Sequence, residues 1–390
     1  MRRTIPLTSL VLLAACGGAT PRPAVPGDDV ITMEEMRIVA TTGGEGETLL
    51  ESYDAGQLFE RGTALLQRGQ CREAVERYYD RIISEFPSSR YVSPALYNAG
   101  LCLHEGGELE ASIPYYEGVL DRAPQSRDAR HATLQLAQVL LGLERFDRAL
   151  AVSERALLRE DLSEPERLEG LTRRGQALLG LGRYPDAERQ ARDALSYYRM
   201  QERRAAVPDP YFAAASNYVL AETMRMRSED MDLPEGSAQE QHAILDQRAR
   251  LVLDAQREYF NTIRHTNAEW AAAAGYRIGS MYDHLWRDLM QAPIPPPTEQ
   301  LDATAIPIYE TEYRSELARH IRPLLRHAIR YWELTLLMVE RTGVRTEWAD
   351  RTRDDLERMR ALLLDQTDPV GDEEAPEEPE AAPAGEDSGA

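Results

Sequence analysis

The side chains best suited to chemistry are spread along this sequence without the spacing that an active site requires. Among seven histidines, His320 and His327 lie seven residues apart in one predicted helix, with arginines between them. No histidine–carboxylate spacing of the zinc-hydrolase type accompanies this pair, so we interpret it as exposed surface. The paired glycines at 43–44 and 106–107 lack the lysine and helix start of a phosphate-binding loop. The sequence therefore predicts no enzyme, no metal site, no cofactor and no small-molecule substrate.

The charge of the chain argues against nucleic acid as a partner. The 390 residues carry a net charge of −21, and all 45 basic residues are arginine. Binding to a phosphate backbone needs a basic face, which such a composition disfavours. Residues 365–390 contain ten acidic residues and no basic one, so we predict a disordered acidic tail there. Such a tail is either a solvated spacer or a docking segment for a basic partner.

The N-terminus ends its apolar run at a cysteine. Arg2 and Arg3 precede an apolar stretch of about nine residues, which is too short to span a bilayer core of about 30 Å. The string Leu-Ala-Ala-Cys16-Gly17 resembles the lipobox of bacterial lipoproteins. That resemblance implies a signal peptide over residues 1–15, cleavage before Cys16 and lipid on its sulfur. The alternative is an ordinary signal peptide, or a core helix, with a chance cysteine.

The residues after the cysteine bear on location. By the same resemblance, Gly17 in place of aspartate is compatible with an outer-membrane lipoprotein that faces the periplasm, and inner-membrane retention stays open. Residues 17–30 are dominated by Gly, Pro and Thr. We therefore predict a flexible tether over residues 16–50, between the lipid and a folded body.

A pattern of small residues recurs four times between residues 55 and 197. The copies begin at Gly62, Gly100, Ala137 and Gly175, at intervals of 38, 37 and 38 residues. A turn residue follows each of these by seven positions, and alanine or serine follows the turn residue by five. Small residues let two helices pack closely, and a glycine after the first helix can adopt the positive φ of a helix C-cap.

This pattern resembles the tetratricopeptide repeat (TPR), a helix–turn–helix unit of about 34 residues. Pro87 and Pro124 stand where the proline of that repeat ends its second helix. The strings 86–89 and 95–100 are similar to those of periplasmic TPR proteins, including the TPR lipoprotein of the β-barrel assembly machinery and the TPR coordinator of cell-envelope constriction. The resemblance implies an all-α helix–turn–helix solenoid with four TPR repeats over residues 51–199.

From residue 200 the units become longer and less regular. Helical periodicity predicts helices over 211–227, 239–264, 270–291, from about 309 onward, and over 348–364. Pro323 would kink or split the fourth of these. We predict two degenerate TPR-like hairpins and a capping helix over residues 200–364. Strings within 255–279 and 331–333 resemble TPR lipoproteins of myxobacteria and relatives, some of which belong to envelope-spanning gliding-motility complexes.

The TPR frame places the two remaining cysteines on neighbouring helices. Cys71 would begin the second helix of the first repeat, and Cys102 would lie past the middle of the next first helix. A disulfide needs Cα atoms about 4.4–6.8 Å apart. Both a Cys71–Cys102 disulfide and two buried thiols are open.

The resemblance also implies a partner-binding groove built by the first helices. The TPR groove positions correspond here to Phe59, Thr63, Tyr97, Asn98, Leu101, Leu134, Gln138 and Gln176. Clamps for an acidic peptide C-terminus carry lysine or arginine at such positions, and only Asn98 matches their pattern. We therefore expect a mixed apolar and polar groove for an extended or helical segment. Alternatively, these residues only pack, or the long second helices fill the groove.

Taken together, these features predict a scaffold or adaptor without catalytic activity. It would be anchored to a membrane through Cys16 and bind other cell-envelope proteins, within a motility or outer-membrane machine. The alternative is a subunit, catalytic or not, of a peptidoglycan-acting enzyme complex.

Overall fold

The computed structural model describes residues 35–42, 48–204, 209–297 and 300–365. Within these ranges a β-hairpin precedes thirteen helices, so the predicted all-α class is confirmed. The strands β1 (Met36–Thr42) and β2 (Thr48–Asp54) pair antiparallel, with Met36 opposite Asp54. The predicted signal peptide, Cys16 and the predicted tail after Asp365 lie outside the described residues.

Eight helices form four successive hairpins over the predicted repeats. They are α1 (Ala55–Leu66), α2 (Cys71–Ala74, a π-helical turn Val75–Tyr79 and Asp80–Glu85), α3 (Val92–Glu105), α4 (Leu109–Arg122), α5 (Arg127–Gly142), α6 (Phe146–Leu157), α7 (Glu164–Gly180) and α8 (Tyr184–Glu202). Each odd-numbered helix packs against the even-numbered helix that follows it.

The four hairpins turn in the same way because of one residue each. Gly69, Gly107, Glu144 and Gly182 have φ values of 72, 80, 56 and 68°. The residue after each turn residue donates its amide to the carbonyl five positions before it. Examples are Gln70 to Leu65 at 3.0 Å and Arg145 to Leu140 at 2.8 Å. This bond satisfies a carbonyl that the helix end leaves free. The predicted positive-φ turn is present even where glycine is replaced by Glu144.

The small residues of the pattern lie where the two helices of a hairpin touch. A Cβ atom added to Gly62 would stand 2.8 Å from the ring of Tyr79, and one added to Gly100 would stand 3.0 Å from that of Tyr116. Both tyrosines are fully buried. Replacing a side chain by hydrogen therefore makes room for an aromatic ring from the partner helix, and this pair forms the core of the hairpin.

Five further helices complete the described chain. They are α9 (Tyr211–Glu229), α10 (Ala238–Arg264), α11 (Ala268–Gln291), α12 (Ile306–Thr342) and α13 (Glu347–Asp365). Two further hairpins, α9–α10 and α11–α12, are followed by α13, which packs on both α11 and α12. Pro323 lies inside α12 without splitting it, so of the two alternatives for this proline the split is wrong.

The predicted tether is wrong over its last part, because β1 and β2 occupy much of residues 36–54. Tyr53 of β2 is buried, its ring meets that of Phe86 edge to face at 6.1 Å, and its hydroxyl donates to Glu85 at 2.7 Å. Arg37 of β1 donates to the Glu85 carbonyl at 3.0 Å. These contacts fix the hairpin to the end of α2.

No helix among the described residues combines the length and apolar character needed to cross a membrane.

Candidate functional site

The first helices of successive hairpins line one side of the array. The helices α3, α5, α7, α9 and α11 each contact the next one in this series, whereas contacts between successive second helices are sparse. Stacking that is closer on one side curves the array toward that side. The side chains of the first helices therefore form its inner surface.

The structure places most of the predicted groove residues on this surface, half-buried. Phe59 packs against the rings of Tyr79 and Tyr91, with centroids 6.0 and 5.4 Å away. Asn98 donates to the Tyr79 hydroxyl at 3.3 Å. Thr63 and Leu101 are also half-buried.

One predicted groove residue is misplaced. Leu134 is only 3% exposed, and its side chain faces Gly170 of α7. A Cβ atom added to Gly170 would stand 3.9 Å from Leu134, at ordinary contact distance, so α7 covers this side chain. It belongs to the core between the two helices, and the prediction that it contacts a partner is wrong.

A buried arginine lies in the middle of this surface and connects α7 to α5. Arg173 of α7 is 6% exposed and donates to Gln138 of α5 at 2.9 Å, and it lies 3.5 Å from both Gln176 and Glu169. Burial raises the pKa of Glu169, and Arg173 opposes this only in part. The guanidinium is thus occupied by side chains of the protein itself.

A second ion-pair cluster stands at the start of α7. Glu166 caps this helix by accepting from the Ser163 amide at 2.8 Å. It also lies 2.9 Å from Arg130 and 3.1 Å from His131 of α5. Burial would raise the pKa of Glu166, but the Ser163 hydrogen bonds and Arg130 hold it below its usual value. The ring of His131 faces that of Tyr97 at 6.1 Å, so the cluster leads directly to α3.

Aromatic side chains continue the surface beyond the repeats. Tyr211 and Phe212 begin α9, and Trp270 lies in the first turn of α11. The ring of Tyr211 meets that of Trp270 at 5.8 Å, and Arg173 lies 5.6 Å from the Phe212 ring centroid. Sequence reasoning missed these three residues because the repeat pattern stops before them. Their position at the starts of predicted first helices was a usable signal.

We call this surface the inner face, and define it by Tyr97, His131, Gln138, Arg173, Tyr211 and Trp270. Its chemistry is aromatic and amide, with its charged groups already paired. Such a surface can hold a peptide segment by stacking and hydrogen bonds to side chains, and it presents no free cation for a terminal carboxylate at Arg173.

Cys71 and Cys102 are both free thiols in the structure. Burial, followed by the hydrogen bond with Cys71, raises the pKa of the Cys102 thiol. The two side chains lie in contact on adjacent helices, with Cys102 buried and Cys71 half-buried, and the choice between a disulfide and two buried thiols stays a prediction.

Among the described residues, no group of three or more His, Cys, Asp or Glu side chains is arranged to hold a metal ion.

Comparison with known families agrees with this geometry. Residues 59–127 and 134–205 match the family model described as tetratricopeptide repeat. This part of the chain is a TPR array. The resemblance seen in the small-residue spacing is confirmed there, and the fold is one that typically binds proteins rather than catalyses reactions.

Solved structures of other proteins, one of them described as a tetratricopeptide repeat protein, are similar at low identity. A TPR protein from Parabacteroides merdae ATCC 43184 is 16% identical over 78% of this chain and 98% of its own, with a TM-score of 0.38. MamA from Desulfovibrio magneticus RS-1 is 16% identical over 56% of this chain and 98% of its own, with a TM-score of 0.35. A Rap protein complexed with competence and sporulation factor is 11% identical over 80% and 99%, with a TM-score of 0.33. No curated protein matches the chain.

Proposed function

We propose that this TPR protein is a lipid-anchored scaffold that binds segments of cell-envelope proteins on its inner face. The observation that carries the proposal is the continuity of that face. Half-buried aromatic and amide side chains run from Tyr97 on α3 to Trp270 on α11, across five successive first helices. Aromatic side chains in such positions are the groups that most often dominate binding energy at protein interfaces.

The paired charges favour one kind of segment. Arg173 is held by Gln138 and lies 3.5 Å from Glu169, so binding a peptide carboxylate there would break contacts already made. A segment anchored by its own side chains, extended or helical, fits this face without that loss.

Anchoring and location form the second part of the proposal. They rest on the Leu-Ala-Ala-Cys16-Gly17 string and its resemblance to a lipobox. Several acyl chains, each worth about 0.8 kcal/mol per buried methylene, hold a protein at a bilayer far more firmly than one. We propose the outer membrane, with the body facing the periplasm and participating in an envelope machine.

The two parts are tested separately. Cys16→Ala should move the protein from the membrane fraction to the soluble fraction, and unchanged retention would contradict the lipid anchor. For the inner face, Tyr97→Ala with Tyr211→Ala should reduce crosslinked capture of envelope proteins by the full chain from membranes.

The matched control for the inner-face variant is Leu158→Ala. This side chain is 83% exposed and follows the second helix α6, away from the inner face. Its capture should equal that of the natural chain, and far-UV circular dichroism should show all variants folded. Equal capture by the tyrosine variant would place the binding surface elsewhere.

A further inference from the structure

The outer side of the C-terminal half carries an apolar groove between the second helices α10 and α12. Its floor is α11, through Gly275 and Ile278, and its cavity has a volume of about 200 Å³. The α10 wall is formed by Phe260 and Ile263, and the α12 wall includes Leu334 and Met338. Its walls are second helices, whereas the residues of the inner face lie on first helices, so it is a separate surface.

Contacts within the protein hold the groove open in one shape. Gln256 of α10 donates to the Tyr331 hydroxyl of α12 at 2.7 Å and accepts from Tyr282 of α11 at 2.8 Å. At the floor, a Cβ atom added to Gly275 would stand 2.2 Å from Thr335, so α11 and α12 are in close contact. The walls are therefore braced against the floor before any partner arrives, which lowers the ordering entropy that binding must overcome.

Large apolar side chains stand exposed along both ridges. Leu253 and Phe260 on α10 are 57% and 37% exposed, and Leu334 and Leu337 on α12 are 51% and 43% exposed. Scattered single apolar residues are normal on protein surfaces, but a braced groove between two such ridges is typical of an interaction site.

Arginines alternate with these residues at helical spacing. On α10 the ridge reads Leu253, Arg257, Phe260, Arg264, and on α12 it reads Arg330, Leu334, Leu337, Arg341. Arg257 lies 2.8 Å from Asp254, whereas Arg330 and Arg341 form no ion pair within the described part of the chain. Glu333 of α12 is paired with Arg360 of α13, and Glu340 precedes Arg341 on the same helix. Arg264, Arg330 and Arg341 thus place three positive charges along the two ridges of the groove, on a chain whose net charge is −21.

We propose that this groove binds an acidic amphipathic helix of a partner protein. Apolar side chains one helical turn apart would enter the cavity between Phe260 and Leu334, and carboxylates on the flanks would meet Arg264, Arg330 and Arg341. Both walls are helices whose backbone groups are already hydrogen-bonded, so an added strand would find no free edge, and a helix in a groove is the mode that remains. This inference goes beyond the proposed function, because it concerns a different surface.

The test uses the full chain and two synthetic helix-forming peptides. Both carry leucines at positions i, i+3, i+4 and i+7, and one has glutamate on its flanks where the other has arginine. Fluorescence anisotropy should show the acidic peptide binding at least about tenfold more tightly, with an affinity that falls as salt rises. Equal affinities for the two peptides, or no binding of either, would overturn the proposal.

Variants of the groove locate the binding. Leu334→Asp should weaken binding of the acidic peptide about tenfold or more. Arg330→Glu with Arg341→Glu should remove the preference for the acidic peptide while leaving the apolar groove intact. Leu158→Asp, at a side chain that is 83% exposed elsewhere, should change nothing. All of these residues are exposed, so folding should be preserved and is checked by circular dichroism.

Two further experiments test whether something other than a partner helix fills the groove. Sedimentation that shows a dimer of the natural chain, lost in Leu334→Asp, would show that a second copy covers the groove. Peptide binding that occurs only after removal of residues 366–390 would show that the acidic tail of the chain itself fills it. Either result would overturn the assignment to a partner helix.

Discussion

Residues 55–202 pack glycine and alanine against tyrosine rings and bury one charged side chain, Arg173. The described part of residues 211–365 buries four, Glu222, Arg225, Arg248 and Asp283, beside its aromatic side chains. In the first region, helices of 12 to 19 residues form hairpins closed by one positive-φ residue. In the second, α10, α11 and α12 have 27, 24 and 37 residues. The TPR family model matches the first region up to residue 205.

The buried charges of the second region form a connected network around Glu222 of α9. This carboxylate is 4% exposed and lies 2.7 Å from Arg225 and 3.3 Å from Arg277 of α11, and it accepts a hydrogen bond from Tyr259 of α10. Burial would raise the pKa of Glu222, but Arg225 and Arg277 hold it below its usual value. One acidic side chain thus ties together three helices.

The two regions differ in how far their packing can be recognised from the sequence. Small residues and turn residues recur at fixed positions because hairpin geometry demands them, so four TPR units are visible in sequence. A buried ion network needs only opposite charges at positions that lie side by side on neighbouring long helices. Such residues look like ordinary surface pairs in a sequence that is 28% charged.

The largest effect should come from removing the charge of Glu222. Glu222→Gln removes the common partner of the buried Arg225 and the half-buried Arg277, which we expect to cost about 3–5 kcal/mol of unfolding free energy. Hydrogen exchange should show protection lost first in α9–α11, with α1–α6 retained. Glu117→Gln is the control, because this carboxylate and its partner Arg148 are 45% and 48% exposed. It should cost at most about 1 kcal/mol. Equal losses from both variants would contradict a difference between the regions.

Two glycine substitutions should have opposite signs. A Cβ atom at Gly279 of α11 would stand 2.3 Å from Nε1 of Trp332, a fully buried ring that donates to the Tyr276 carbonyl at 3.0 Å. Gly279→Ala should therefore cost about 1–3 kcal/mol. At Gly175 of α7 the nearest atom would be 3.6 Å away, so Gly175→Ala should be neutral or stabilising by up to about 1 kcal/mol. Thermal unfolding measures both, and a destabilised Gly175→Ala would show that this position is as tight as its counterpart.

The turn residues give a smaller effect that belongs to the TPR region. Glu144 holds a φ of 56°, where its three counterparts are glycine. Glu144→Gly should raise the unfolding free energy by about 0.5–1 kcal/mol, because glycine adopts positive φ at no steric cost. Gly182→Ala should lower it by a similar amount. Urea unfolding decides, and a loss of stability in Glu144→Gly would mean that its side chain contributes more than its backbone strain costs.

Much of the fold could be predicted from the sequence. The turn at Glu144 was predicted from its spacing alone, and helices predicted over 211–227 and 239–264 are observed as α9 and α10. The β-hairpin was missed, although alternating apolar residues on either side of Gly43–Gly44 resemble a strand–turn–strand pattern.

The candidate site was only partly accessible. Tyr97, Gln138 and Gln176 lie on the first helices as predicted, because helical spacing fixes which face a residue shares. Leu134 could not be placed, since its burial depends on how α7 packs over α5. Arg173 and Glu169 resemble any exposed i,i+4 pair in sequence, and only packing by neighbouring helices buries them.

The smallest effect is a pH dependence confined to the second region. The hydrogen bond between His284 and Glu229 raises the pKa of His284. Burial alone would raise the pKa of Glu229, but His284 and Arg225 outweigh it and lower that pKa to about 2. The stabilisation from His284 is full below its ordinary pKa and is lost as pH rises through the raised value. That from Glu229 is present above an ordinary carboxyl pKa and is lost as pH falls toward 2. We therefore expect the second region to be most stable near about pH 5–6.

Unfolding midpoints between about pH 4 and 8 measure this dependence. His284→Gln should flatten the decline above about pH 6, whereas His320→Gln, in an exposed pair with Glu316, should leave it unchanged. An identical decline in all three chains would contradict the role of His284.

Site-specific photo-crosslinking in cells tests the proposal that the inner face of the TPR array contacts protein partners. A photoreactive phenylalanine analogue is placed at Tyr97 on the inner face, or at Leu158, which is 83% exposed on the outside. We expect discrete protein adducts from position 97 and none from position 158. Adducts of the same size and yield from both positions, or from position 158 alone, would contradict it.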